Sequence, residues 1–262
     1  MKEQKVVYYR DENTDDFVSK DYTDIKIDEK YQYLHKNLFW NVASFILYRI
    51  IATPIAYLYL KLKFRIQFVG REKLKTTGDK GYFLYVNHTQ MIGDAFLPTI
   101  ATFYRKAYVI VHPDNVSIPF WGHFIKMLGP LPLPSNVQAW KNFVNAIDKI
   151  IEKKQVVTIY PEAHVWNYYT GIRNYSDATF RYPAKDGADC FAATVTYQKR
   201  RKSEKPRMVV YIDGPFQASN SENLRMRQEE LRDKVYNVMC ERAKNSNVEY
   251  IKYEKIKEEV FD

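Results

Sequence analysis

Two cysteines in 262 residues, Cys190 and Cys240, supply neither a disulfide framework nor a metal pair, which points to an intracellular protein. A chain of this length can bury one large α/β core without such staples. The opening MKEQKVVYYRDENTDD is charged and has no apolar run, so it does not read as a signal peptide; a cytosolic working face is expected. No P-loop and no Gly-x-Gly-x-x-Gly occur, which leaves nucleotide use unsupported. No Gly-x-Ser-x-Gly elbow is present, which argues against a serine hydrolase. Zinc-finger spacing, an RNP-type aromatic motif and a basic recognition helix are all missing, so the basic charge does not indicate nucleic acid.

What is present is a net charge of +9, unevenly spread, and 16% aromatic residues including 22 Tyr. Residues 1–30 carry six Lys/Arg against nine Asp/Glu, so the remainder carries a net +12. Basic charge with many Tyr and Trp fits a surface facing anionic lipid. The acidic arm, 1–30, reads as an irregular lead-in. From Leu38 to Leu60, LFWNVASFILYRIIATPIAYLYL is long enough to span a bilayer, but Arg49 and Pro54 argue against a simple span. Two short helices meeting near Pro54 are expected within one leaflet, with Trp40, Tyr48, Tyr57 and Tyr59 at the interface. Lys36, Arg49, Lys61 and Lys63 are then placed to reach lipid phosphates. An ordinary buried helical hairpin is the plainer reading.

After this membrane-associated helical segment (31–63), strand and helix signals alternate through 64–262. FRIQFV (64–69) reads as a half-exposed strand; GYFLYV (81–86) and AYVIVH (107–112) read as strands buried on both faces. A helix with an early Pro98 lies between those two. The spacing of Val137, Trp140, Val144, Ile147 and Ile151 predicts a helix capped by Ser135 or Asn136. VVTIY, CFAATVTY and RMVVYI follow as strands, and Ser219–Glu222 as a capping box opening a helix with Leu224, Leu231, Val235, Val238 and Met239 on one side. Interleaved strands and helices mean an α/β sandwich.

The stretch YVNHTQMIGDAF ends an apolar run in Asn87-His88, with Asp94 six residues past the histidine. An imidazole delivered to a strand end near a carboxylate is a common general base; a buried structural histidine beside a loop aspartate uses the same letters. Loops at the carboxyl ends of such strands gather into one site, so Asn87-His88 would face Pro161-Glu162-Ala163-His164 across a crevice. A metal-dependent hydrolase built on His88, Asp94, Glu162 and His164 competes, but the third loop puts only one residue between Glu162 and His164, and no His-x-x-x-His spacing occurs. The aromatic loop VWNYYTGIRNYSDATFRYP either lines a lipid channel or packs on itself. QKRRKSEKPR (198–207) either meets phosphates of lipid or coenzyme A or is a solvated hairpin tip.

The order Asn-His…Asp, Gly-Pro-Leu-Pro-Leu, Tyr-Pro-Glu followed by a small residue, and a later apolar strand (192–197) resembles the 1-acylglycerol-3-phosphate acyltransferase family over about residues 64–216. The resemblance implies a glycerolipid-acyltransferase-like α/β sheet flanked by helices, with an N-terminal membrane-associated helical segment. It implies transfer of a fatty acyl group from acyl-CoA or acyl-carrier protein to a hydroxyl of a lysophospholipid-like acceptor, in phospholipid biosynthesis at the cytoplasmic face of the cell membrane. His88 would be the general base and Asp94 its partner, with backbone N–H groups near the helix after Asn-His or in the Gly-Pro-Leu-Pro-Leu loop holding the oxyanion. Asn87, Glu162, Ala163 and His164 would shape the substrate pocket. No metal and no bound cofactor are required, the acyl donor being a co-substrate.

The departures from that pattern are specific. Five residues separate His88 from Asp94 where the family has four, and one extra residue in a helix rotates a side chain by roughly 100°. Either Gly93 absorbs it in an irregular turn, or Gln90 orients the ring instead. Pro134-Ser135 stand where the family has Asp-Arg, and Val165 stands at the motif's arginine. Arg173 and Arg181 are the replacement candidates for gripping a phosphate, with Lys141 a weaker one. These losses also keep a catalytically inactive lipid-binding membrane-surface protein in play.

Overall fold

The computed structural model describes residues 4–17, 26–117 and 122–256. Among them, seven strands form one sheet in the order β2 (Gln67–Val69), β8 (Ser203–Phe216), β7 (Asp189–Arg200), β3 (Tyr82–Val86), β6 (Val156–Ile159), β4 (Ala107–Val111), β5 (Pro130–Pro132). The central strands are β3 (Tyr82–Val86), β6 (Val156–Ile159), β4 (Ala107–Val111) and β7 (Asp189–Arg200), all mutually parallel where they pair. β3 is buried at every position, as its continuous apolar sequence requires of a strand covered on both faces. β8 (Ser203–Phe216) turns back antiparallel on β7, and β2 (Gln67–Val69) edges the sheet beside it. At the other edge, β5 (Pro130–Pro132) pairs with β4 inside the Gly-Pro-Leu-Pro-Leu stretch. Two prolines can be accommodated there because an edge strand leaves one side of its ladder unpaired.

Alternation along β3 divides the core. Leu84 and Val86 join Leu60, Phe64, Leu97 and Ile100 on one face; Phe83 and Tyr85 join Phe143, Ile147, Leu231 and Val235 on the other. The first face carries α3 (Gly93–Ala101) and the second carries α5 (Val137–Glu152) and α7 (Leu224–Ala243). One helix face and one helix boundary differ from expectation. Asn136 caps α5, but the buried stripe is Ala139, Phe143, Ala146, Ile147 and Ile150, while Val137 and Trp140 stay exposed. Small alanines let the helix approach the sheet where the larger residues would not. In α7 the cap is Asn223, accepting from the Arg225 and Met226 amides, one residue past the expected box.

Leu38–Phe64 is one continuous helix of 27 residues, long and apolar enough to cross a membrane. It contains α1 (Leu38–Phe45) and α2 (Thr53–Tyr59), joined and followed by π-helical turns. The expected break at Pro54 is absent. The wider turn bonds the Thr53 amide five residues back to the Tyr48 carbonyl, which accommodates the ring and missing donor of the next residue. Ser44, Tyr48, Thr53, Ala56, Leu60 and Phe64 are buried against the domain, and Phe39, Phe45, Ile50, Leu58 and Leu62 are exposed on the other side. Tyr48, expected at a lipid interface, instead turns inward to Thr99 and the Ala107 amide. Arg49, expected to reach lipid, donates to the Phe103 carbonyl. Phe64 ends the helix rather than opening a strand, because Arg65 takes left-handed φ of 47°.

The acidic arm is ordered where it is described. β1 (Lys5–Tyr9) pairs in parallel with β9 (Ile251–Lys255), and Tyr9 and Phe17 pack on Trp166. Residues 1–3 and 18–25 of the arm lie outside the described residues.

Candidate active site

His88 stands two residues beyond β3, and Asp94 lies in the first turn of α3. His88 Nδ1 is 2.8 Å from Asp94 Oδ2. The extra residue between them is taken up before the helix begins. Residues 89–92 are not helical, the Asp94 amide closes a turn onto the Gln90 carbonyl at 2.9 Å, and only then does α3 start. The extra residue therefore does not rotate the carboxylate away, since the histidine is outside the helix. Gly93 permits the turn: a Cβ there would meet Gln90 Cβ at 2.9 Å. Gln90 does not orient the ring; its amide donates to the Tyr197 hydroxyl at 3.0 Å.

Asp94 is 1% exposed, and its Oδ2 also accepts from the amides of Thr89 (2.7 Å) and Gln90 (2.8 Å). Three donors thus converge on one oxygen at the positive end of a helix. That carboxylate selects the tautomer with hydrogen on Nδ1 and leaves Nε2 with its lone pair. The imidazole itself is partly open, with 18% of its side chain exposed, and lies over the Tyr160 ring at 4.4 Å. The Tyr160 hydroxyl donates to the Asp94 carbonyl at 2.6 Å, and that of Tyr197 sits 2.8 Å from Thr89 Oγ1. Burial first, and the Asp94 charge second, push both phenols well above their usual range, so they remain protonated donors. Neither tyrosine was singled out by sequence reasoning. Tyr160 had a signal, following directly on VVTI and so entering the same crevice; Tyr197 ends a buried run like any core residue.

The third loop is built differently. Glu162, 5% exposed, accepts the His88 amide at 3.0 Å and the Arg173 amide at 3.1 Å, and pairs with the Arg173 guanidinium at 3.1 Å. It thus ties the end of β3 to the loop after β6 instead of facing an open pocket. Arg173 is 1% exposed and also donates to the carbonyls of His164 and Glu12, with its guanidinium 4.8 Å from the Trp166 ring centroid. These contacts remove it from the role of surface phosphate grip. Asn87 likewise turns inward, exchanging two hydrogen bonds with the Val195 backbone of β7. Ala163 is exposed in a left-handed conformation, φ 62°, where glycine would be at ease. His164 Nδ1 lies 3.5 Å from Asp16 Oδ2 on the arm. Arg181 opens the short helix α6 (Arg181–Asp186), exposed and alongside α7. Val165, at the motif's arginine position, is buried.

The aromatic loop packs on itself and on the chain termini: Trp166 stacks on Tyr253 at 4.9 Å, and its indole N–H reaches the Asp15 carbonyl. The hydrolase reading loses its ligands to this network, because both Glu162 oxygens are engaged by Arg173. Among the described residues no group of three or more His, Cys, Asp or Glu is placed to hold a metal ion.

A family model described as acyltransferase matches residues 65–197, which contain the His88–Asp94 and Glu162–Arg173 pairs. No curated protein sequence matches the chain. Among solved structures, the crystal structure of the 1-acyl-sn-glycerophosphate (LPA) acyltransferase PlsC from Thermotoga maritima is similar with a TM-score of 0.55 at 14% identity. The match covers 82% of this chain and 86% of that one, so the two share a fold.

Proposed function

Because this chain belongs to the acyltransferase family, we propose that it moves a fatty acyl group from a thioester donor, acyl-CoA or acyl-carrier protein, to a hydroxyl of a lysophospholipid-like acceptor. The observation that carries the reading is the 2.8 Å contact between His88 Nδ1 and a buried Asp94 in the matched segment. His88 Nε2 takes the proton of the acceptor hydroxyl as its oxygen attacks the thioester carbonyl. Asp94 stabilises the imidazolium that results. Collapse of the tetrahedral intermediate breaks the C–S bond, and the imidazolium returns its proton to the departing thiolate. The acceptor oxygen gains the acyl group and the carrier leaves as free thiol.

A membrane-bound acceptor fits the helix Leu38–Phe64. Packed on the domain from Ser44 to Phe64, it would cross a bilayer only by drawing the domain into hydrocarbon, where polar backbone and side chains cost several kcal/mol each. Its exposed apolar face suits immersion in one leaflet, on the cytoplasmic side. The test is mass-spectrometric detection of acylated product from purified protein, offered acyl-CoA or acyl-carrier protein with a panel of lysolipids. Product with one acceptor class supports the reading and names the acceptor. Vesicle binding with no product from either donor replaces it with an inactive lipid-binding protein.

A further inference from the structure

Arg65, Arg200, Arg201, Lys202 and Ser203 surround a cleft of about 290 Å³, and no acidic side chain lines it. The cations come from two places. Arg65 caps the end of the apolar helix in a left-handed conformation unusual for a branch-free but bulky side chain, while the others form the tip between β7 and β8. Arg200 pins the tip to the helix end by donating to the Lys63 carbonyl at 2.6 Å. Its Nε is buried with no hydrogen-bond partner among the described residues. Burial, and after it the neighbouring Arg65 charge, lower the Arg200 pKa, the signature of cations gathered without a counter-charge.

We propose that this cleft binds a phosphate group as a subsite separate from the His88 crevice. Convergent guanidinium and ammonium donors on a planar fork and a point charge are the usual means of holding phosphate. The separation follows from β7. Asn87, next to His88, is bonded to Val195, and Arg200 lies five positions further along the same strand, on the order of 17 Å at ~3.3 Å per residue. That is beyond the reach of a glycerol phosphate whose own hydroxyl lies at His88. The phosphate held here therefore belongs to a second molecule or to a remote part of the donor. Two sources share this chemistry: an anionic headgroup in the leaflet beside exposed Leu62, and the phosphates of coenzyme A. Both assignments rest on the lipid-facing acyltransferase reading; the anion site itself does not.

The test is equilibrium binding of the full chain, without turnover, to phosphatidylcholine vesicles with and without phosphatidic acid, and to coenzyme A in detergent. Arg65→Gln/Arg201→Gln/Lys202→Gln is compared with wild type. Each cation near an anionic surface contributes roughly fivefold, so the triple variant is expected to lose on the order of a hundredfold of the phosphate-dependent affinity. Binding to phosphatidylcholine alone, which the apolar helix governs, stays unchanged, and the wild-type preference fades with salt. Loss confined to vesicles assigns a lipid headgroup; loss confined to coenzyme A assigns the donor. Arg201→Glu/Lys202→Glu, at two exposed tip positions, gives the same answer if the triple variant folds poorly. Equal affinity of variants and wild type for both phosphate ligands overturns the proposal. His88→Ala keeps wild-type phosphate binding, so failure of the anion site and failure of the acyltransferase reading are told apart.

Discussion

Asp94 and Glu162 are both buried carboxylates beside the same strand end, yet their surroundings divide the work of the crevice. Asp94 directs one oxygen to an imidazole whose far side remains open to solvent. Glu162 faces a guanidinium that is 1% exposed, and its oxygens are committed to Arg173 and to the His88 backbone. One pair has a free lone pair where a substrate proton could go. The other has none and holds the first in place. A charged pair is thus read as chemistry or as scaffold from what its remaining atoms touch, not from its residue types.

The largest expected effect breaks the first pair. Asp94→Asn removes the charge that fixes the imidazole tautomer, and acyl transfer per folded molecule should fall on the order of 10²–10⁴-fold with little change in melting temperature. A fall below tenfold would detach Asp94 from the chemistry. The second pair answers in stability. Arg173→Met leaves a buried carboxylate uncompensated and should cost roughly 3–5 kcal/mol, lowering Tm by on the order of 10 °C. Adding Glu162→Gln should recover much of that loss in thermal unfolding, since the stranded charge is then gone.

A third carboxylate sharpens the contrast through pH. Burial raises the Asp213 pKa, but hydrogen bonds from Arg242 and Lys73 outweigh it and hold it below its ordinary 3.8. A depressed folded-state pKa contributes stability that is fully present above the unfolded value and is lost as pH falls through the folded one. Denaturant midpoints of wild type and Asp213→Asn should therefore differ at neutral pH and converge on acidification below about pH 4. The smallest effect concerns the third loop's backbone. Ala163→Gly relieves a left-handed alanine, and after the entropy cost of glycine should stabilise by about 0.5–1 kcal/mol in the same unfolding assay. Destabilisation would mean the methyl group has a packing role.

The sheet was legible because β3, β4 and β6 are continuous apolar runs; burial on both faces holds for β3 and β6, whereas β4, next to the short edge strand β5, is fully buried only at Ala107. The proximity of His88 and Asp94 was legible because the histidine ends such a run and the aspartate opens the next helix. Arg173 was misjudged as a phosphate ligand, since an arginine in a Tyr-rich loop carries no local mark that Glu162, Glu12 and Trp166 converge on it. The ordered arm was invisible for a related reason: β1 pairs with β9, some 240 residues away, and an acidic composition says nothing of that partner. The apolar helix was read as broken at Pro54 because a π turn that absorbs the ring has no sequence signal.

In the proposed reaction His88, oriented by Asp94, removes the acceptor's proton. That step is tested most directly by acceptor-dependent thiol release from acyl-CoA, comparing wild type with His88→Ala at equal folded concentration. Release by the variant should fall on the order of 10²–10⁴-fold. Release within a few-fold of wild type would contradict it.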